Sequence, residues 1–119
     1  MKYVDGYVLP VPKKSLMAYR RMAQKAGKVW REHGALEFRE CVGDDLRTKM
    51  AASFLKTIKI KQGETVVFSW IVFKSRAQRD SVNARVMKDP RLAKMMDVKS
   101  LPFDSKRMVY GGFKMIVDA

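Results

Sequence analysis

Residues 65–73 read Thr-Val-Val-Phe-Ser-Trp-Ile-Val-Phe, and no other stretch limits the fold so tightly. The segment is rich in β-branched and aromatic side chains and follows a Gln62-Gly63-Glu64 turn, so it predicts a strand. Alternation puts Val66, Phe68, Trp70 and Val72 on one side and Val67, Ser69, Ile71 and Phe73 on the other. Both sides are apolar, so both faces of the sheet around this strand need cover.

The rest of the chain supplies a sheet and two main helices. Residues 3–11 predict a first strand running into Pro10 and Pro12. Residues 13–32 have helical periodicity and end at His33-Gly34. Residues 35–42 predict a second strand, with Leu36, Phe38 and Val42 on one face, before the Gly43-Asp44-Asp45 turn. Residues 46–61 fit either a short helix carrying Ala51, Leu55 and Ile58 or an edge strand over 54–60. Ser75 with Gln78 forms a capping box that starts a helix running to about Lys88. Asp89 and Pro90 start a further short helix, as cap and first helical residue. Residues 107–117 predict the last strand, with a bulge at Gly111-Gly112.

The order strand, helix, strand, strand, helix, strand predicts an α+β, ferredoxin-like βαββαβ domain with an antiparallel four-stranded sheet. At 119 residues the chain is the size of one domain, and we read 1–119 as a single unit. Two helices cover one face of such a sheet. The other face then calls for a second copy, which predicts a homodimer. The competing expectation is that residues 46–61 fold over that face.

The apolar run ending at Phe73 is far shorter than the roughly 20 residues of a membrane span. No apolar signal core precedes Pro10, and Cys41 is the only cysteine. These features predict a cytoplasmic protein in a reducing compartment. The net charge is +13, from 25 basic and 12 acidic residues, which favours anionic partners through a long-range field. Much of that charge lies on one side of the first helix. Lys13, Lys14, Arg20, Arg21, Lys25, Lys28 and Arg31 share one half of a helical wheel, with Tyr19, Ala23 and Trp30 on the other. No acidic residue falls between Lys13 and Arg31. A solvated face ordinarily mixes signs, because like charges one turn apart repel. These seven residues are therefore candidate contacts for nucleic acid or another polyanion. The face lacks stacking aromatics, so such binding is expected to be weak, salt-sensitive and blind to sequence.

Candidate chemistry is sparse. His33, the single histidine, reads as a capping or packing residue. Cys41 reads as a small buried strand residue. Asp44-Asp45 lacks metal-ligand spacing, and Tyr110-Gly111-Gly112 is no nucleotide fingerprint, so no metal or cofactor is expected. Asp5 stands out. It lies in a predicted central strand between Tyr3 and Tyr7, where a carboxylate must be paired, hydrogen-bonded or protonated. Arg107 or Tyr110 of the last strand is the expected partner. An internal pair that fixes strand register is the competing expectation.

Several segments carry a family resemblance. They are Tyr3-Val4-Asp5-Gly6-Tyr7, Glu40-Cys41-Val42-Gly43-Asp44-Asp45, Val67-Phe68-Ser69-Trp70 and Asn83-Ala84. Met87-Lys88-Asp89-Pro90-Arg91, Pro102-Phe103-Asp104 and the stretch from Lys106 to Phe113 complete them. Together they resemble a bacterial domain-of-unknown-function family, the one that includes YbaA. The resemblance implies a dimeric α+β barrel. It carries no substrate and no catalytic residue onto this sequence.

Three expectations of function follow. The first is a homodimer with a small-molecule pocket between its sheet faces, for which Asp5, Tyr7, Trp70, Arg107 and Tyr110 are the candidate residues. The second is a polyanion-binding module using the basic helix. The third is a structural or regulatory dimer without a ligand. Whether the protein is an enzyme is left open by these residues.

Overall fold

The computed structural model describes residues 1–119 apart from the side chain of Val98. Its frame is four strands: β1 (Tyr3–Pro12), β2 (Glu37–Val42), β3 (Glu64–Phe73) and β4 (Val109–Lys114). The helices are α1 (Leu16–Glu32), α2 (Phe54–Thr57), α3 (Arg76–Met87) and α4 (Pro90–Met95). The sheet order is β2-β3-β1-β4, and every neighbouring pair is antiparallel. The two longest strands, β1 and β3, lie at the centre, as the two-sided apolar pattern of residues 65–73 requires. The α+β, ferredoxin-like arrangement read from the sequence is present.

One face of the sheet packs against the helices. Tyr3, Leu9 and Val11 of β1 and Val67, Ile71 and Phe73 of β3 are buried there. Around Phe73 they meet Val29 of α1, Val82 and Val86 of α3 and Leu92 of α4. Around Leu9 they meet Tyr19 and Ala23 of α1. Loss of a fully buried aromatic such as Phe73 costs about 3–5 kcal/mol, so these contacts carry much of the stability. Helix starts follow the local chemistry. The Ser75 hydroxyl accepts from the Gln78 backbone N–H at 3.1 Å, and Asp89 accepts from that of Arg91 at 2.9 Å.

The other face is left open within one chain. Phe68 is 44% exposed, Val109 55% and Phe113 61%, which no folded core would leave to water. The segment between β2 and β3 covers only a corner of it. It forms no edge strand; α2 is a single turn that sets Phe54 edge-on to Phe68, with ring centroids 6.4 Å apart.

Two further expectations are corrected. β1 and β4 pair without interruption from Tyr3↔Lys114 to Val8↔Val109, so no bulge lies at Gly111-Gly112. Gly112 serves close approach instead: a Cβ there would stand 2.6 Å from the Tyr3 hydroxyl and 3.0 Å from Arg79 Nη2. Cys41 is exposed, because β2 is an edge strand and this residue faces away from the helices. No described helix is long and apolar enough to cross a membrane.

Candidate functional site

The helix-covered face of the sheet holds two carboxylates, and they sit in different surroundings. Asp5, on central β1, is 0% exposed. Its partners come from α3, where positions 79 and 83 are one turn apart and point at the sheet together with Val82 and Val86. Asn83 Nδ2 donates to Asp5 Oδ2 at 3.2 Å, and Trp30 Nε1 donates to Asn83 Oδ1 at 2.9 Å. Arg79 Nε lies 3.7 Å from Asp5 Oδ1 and 3.3 Å from Asp80 Oδ1; neither Arg79 Nε nor Asp5 Oδ1 has a hydrogen-bond partner among the described residues, so Arg79 compensates Asp5 there by charge, an attraction it shares with Asp80. Arg79 also donates to the Tyr3 hydroxyl at 3.2 Å and to the Tyr110 hydroxyl at 3.3 Å, and its guanidinium stacks 4.8 Å from the Tyr3 ring centre. Burial pushes the Asp5 carboxyl above its ordinary range, against the pull of Asn83 and Arg79. The Tyr7 ring lies 4.9 Å from that of Tyr110, and burial followed by the Asp5 charge pushes its phenol up.

The structure thus brings Asp5, Tyr7 and Tyr110 together. It does not bring Trp70 or Arg107 to them. Trp70 pairs with Gly6 and points to the open face, one residue out of phase with Asp5. Arg107 lies in the turn before β4 and grips Glu64 through two bonds, 2.6 and 3.0 Å, while donating to the Lys59 carbonyl at 2.8 Å. The cation beside Asp5 is Arg79. Sequence reading missed Arg79 and Asn83, although the Ser75 cap fixes the phase of α3 and was enough to place both on its inner side.

The second carboxylate, Glu40, lies in a groove between α1 and β2. Along α1, Tyr19, Ala23 and Gly27 follow one another at one-turn spacing, so the inner line of the helix loses bulk toward its middle. Gly27 lets the Phe38 ring close in; a Cβ there would stand 2.8 Å from it. The resulting groove has a volume of about 720 Å³ and is open to solvent. Val67, Ala23, Phe38 and Tyr19 make its floor apolar, while Arg20, Lys28 and Arg31 stand at its rim. Glu40 reaches into it because β2 alternates Phe38, Glu40 and Val42 on the helix side. The Tyr19 hydroxyl donates to Glu40 Oε1 at 2.7 Å. No cation pairs with Glu40 among the described residues; neighbouring Arg39 turns to Glu37 at 3.6 Å. Crowding by the groove walls raises the Glu40 carboxyl above its ordinary range, and the Tyr19 and Ser69 hydroxyls draw it back down. Water still reaches the carboxylate through the open side, which limits that rise. Burial pushes the Tyr19 phenol up strongly, helped by the Glu40 charge. The phase of Glu40 was visible in the sequence, but no sequence signal told that α1 would leave a hollow opposite it.

The basic residues lie as the helical wheel placed them. Lys13 and Lys14 fall in a 3-10 turn ahead of α1, and Arg20, Arg21, Lys25, Lys28 and Arg31 follow along the helix. All seven are exposed, and none forms a salt bridge among the described residues. His33 joins the end of α1 to the α4 cap, 2.9 Å from Asp89. Among the described residues no cluster of His, Cys, Asp and Glu suits a metal ion.

Comparison with known proteins places the chain by sequence and by shape. YbaA of Escherichia coli strain K12, an uncharacterized protein, is 45% identical over 118 residues, covering 99% of each chain, and YbaA of Shigella flexneri matches equally well. Rv0793 from Mycobacterium tuberculosis has a similar fold, with a TM-score of 0.60 at 12% identity over 100% of this chain and 99% of that one. A NIPSNAP family protein of unknown function from Agrobacterium tumefaciens superposes with a TM-score of 0.59 at 13% identity, over 96% of this chain and 87% of its own. The profile of the family described as "Protein of unknown function (DUF1428)" matches residues 2–105, and with the YbaA identity this establishes that the chain belongs to that family.

Proposed function

We propose that the protein is a homodimer that binds one small organic anion per subunit in the groove between α1 and β2. The observation that carries this reading is the groove itself: an apolar floor and three rim cations, Arg20, Lys28 and Arg31, that form no salt bridge among the described residues, around about 720 Å³, a size typical of small-molecule sites. The expected pocket thereby moves from the space between the two sheets to the opposite side of each sheet. The open face is left for the second copy. Phe68, Trp70, Val109 and Phe113 make it apolar, and a two-fold axis brings like patches together. A cytoplasmic setting suits the exposed free thiol of Cys41.

Anilinonaphthalene sulfonate, an aromatic anion that brightens in apolar sites, tests the groove. Binding at one site per subunit, weakened about tenfold by the double change Arg20→Glu and Lys28→Glu, is the expected result. Absence of binding, or binding indifferent to both reversals, removes the reading. Phe113→Glu tests the other half and is expected to yield monomers by light scattering.

The unpaired cations of α1 favour one other reading, a polyanion surface. Fluorescence anisotropy of a short labelled RNA and DNA, titrated with salt, decides it. Affinity that collapses as salt rises and is lost on reversing Arg20, Arg21, Lys25 and Lys28 would make the helix the functional surface.

A further inference from the structure

The groove carries charge of both signs without pairing them. Arg20 and Lys28 stand at its rim free of salt bridges among the described residues, and Glu40 lies within it, engaged by hydroxyls only. An ionised carboxylate offers about four acceptor positions, more than Tyr19 and Ser69 occupy. Arg20, Lys28 and Glu40 are exposed, so water solvates them in the open groove, and a ligand that enters displaces that water and must supply its hydrogen bonds. A net charge of +13 and a cationic rim oppose entry of a cationic ligand. The group that meets Glu40 is therefore a neutral donor. The Tyr19 and Phe38 rings along the floor suit a flat body between the two ends.

We propose that the ligand is an aromatic acid carrying a hydroxyl at the end remote from its acid group, the hydroxyl donating to Glu40 beside Tyr19 and the acid group facing Lys28, two turns further along the rim of α1. This rests on the groove reading above and sharpens it from any organic anion to a hydroxyaryl acid. Glu40 acts as the specificity-determining residue, and Tyr19 positions its carboxylate through the 2.7 Å bond. A phenol is a strong donor to a carboxylate, and a charge-assisted bond of this kind separates it from the same molecule lacking the hydroxyl.

The test is displacement of anilinonaphthalene sulfonate from the full-length protein by para-hydroxyphenylpropionate and by phenylpropionate. The hydroxylated acid is expected to bind about tenfold more tightly. Glu40→Gln should shrink that preference to about threefold or less while leaving phenylpropionate unchanged or slightly tighter, since a repelling charge is gone. Tyr19→Phe should give an intermediate preference. Equal displacement by both acids, or a preference that survives Glu40→Gln, overturns the proposal and leaves the groove reading standing. Failure of the sulfonate itself to bind overturns the groove reading and this proposal with it.

Discussion

Asp5 and Glu40 lie on the same face of one sheet, and their fates diverge because of where their strands sit. β1 is central, so α3 lies over Asp5 and supplies Arg79 and Asn83, and the carboxylate itself is fully buried. β2 is an edge strand, so only α1 faces Glu40, and that helix offers Tyr19 followed by Ala23 and Gly27. One carboxylate became part of the interior, the other part of an accessible groove. The lesson is that burial alone does not mark a binding residue. A polar group whose partners are incomplete in a space that a ligand can enter is the better marker.

That contrast can be broken most forcefully at Arg79. Arg79→Met removes the one cation that pairs with Asp5 among the described residues and should destabilise the fold by about 3–5 kcal/mol, read from the urea midpoint. Sulfonate binding in the groove should survive in the folded fraction. A variant as stable as the parent would show that Asp5 needs no cation and is carried in its neutral form.

A smaller loss is expected from Gly112→Ala. The added methyl meets the Tyr3 hydroxyl and Arg79, both held in the cluster, and forcing them aside should cost about 1–3 kcal/mol. A neutral result would mean that the Arg79 end of the cluster adapts freely, and the two carboxylate sites would then differ less than the geometry shows.

The pH dependence sharpens the comparison further. The Asp5 carboxyl is held above its usual 3.8, so the folded chain keeps this proton where the unfolded chain has lost it. Its contribution to stability is therefore greatest in acid and declines as pH rises from about 3.8 through the folded-state value. Arg79 and Asp80 are the charged neighbours that modulate it. Glu64 has the opposite sign, because the Arg107 hydrogen bonds lower its carboxyl below 4.5; it stabilises at neutral pH and that part is lost in acid. Asp5→Asn should accordingly gain on the parent as pH is raised from about 4 to about 7, in paired urea titrations. A constant difference would mean that Asp5 has no raised value in the folded state.

The least effect belongs to Tyr19→Phe. Its hydroxyl bond to Glu40 is partly solvated, so stability should fall by only about 0.5–1.5 kcal/mol by thermal melting. A loss as large as that of Arg79→Met would make Glu40 a structural carboxylate like Asp5.

Much of the fold was legible along the chain. The two-sided apolar pattern of residues 65–73 placed β3 at the centre, the Ser75 and Asp89 caps fixed two helix starts, and the wheel of residues 13–31 located the basic face. These signals are local: periodicity, capping and turn chemistry act over a few residues. The candidate site was legible only in part. Asp5, Tyr7 and Tyr110 meet as the strand order implied, whereas Trp70 and Arg107 do not, because a one-residue change of phase sends a side chain to the other face.

The sequence by itself therefore determined the four main strands, the helices after β1 and β3, their order, the family and the charge of α1, since each is written in neighbouring residues. Only the tertiary structure decided which carboxylate is sealed and which is open. It set Arg79 rather than Arg107 beside Asp5, held Gly112 flat against Tyr3, and left a hollow between α1 and β2. Those outcomes depend on how helices of given bulk rest on a sheet, and packing of that kind joins residues far apart in the chain.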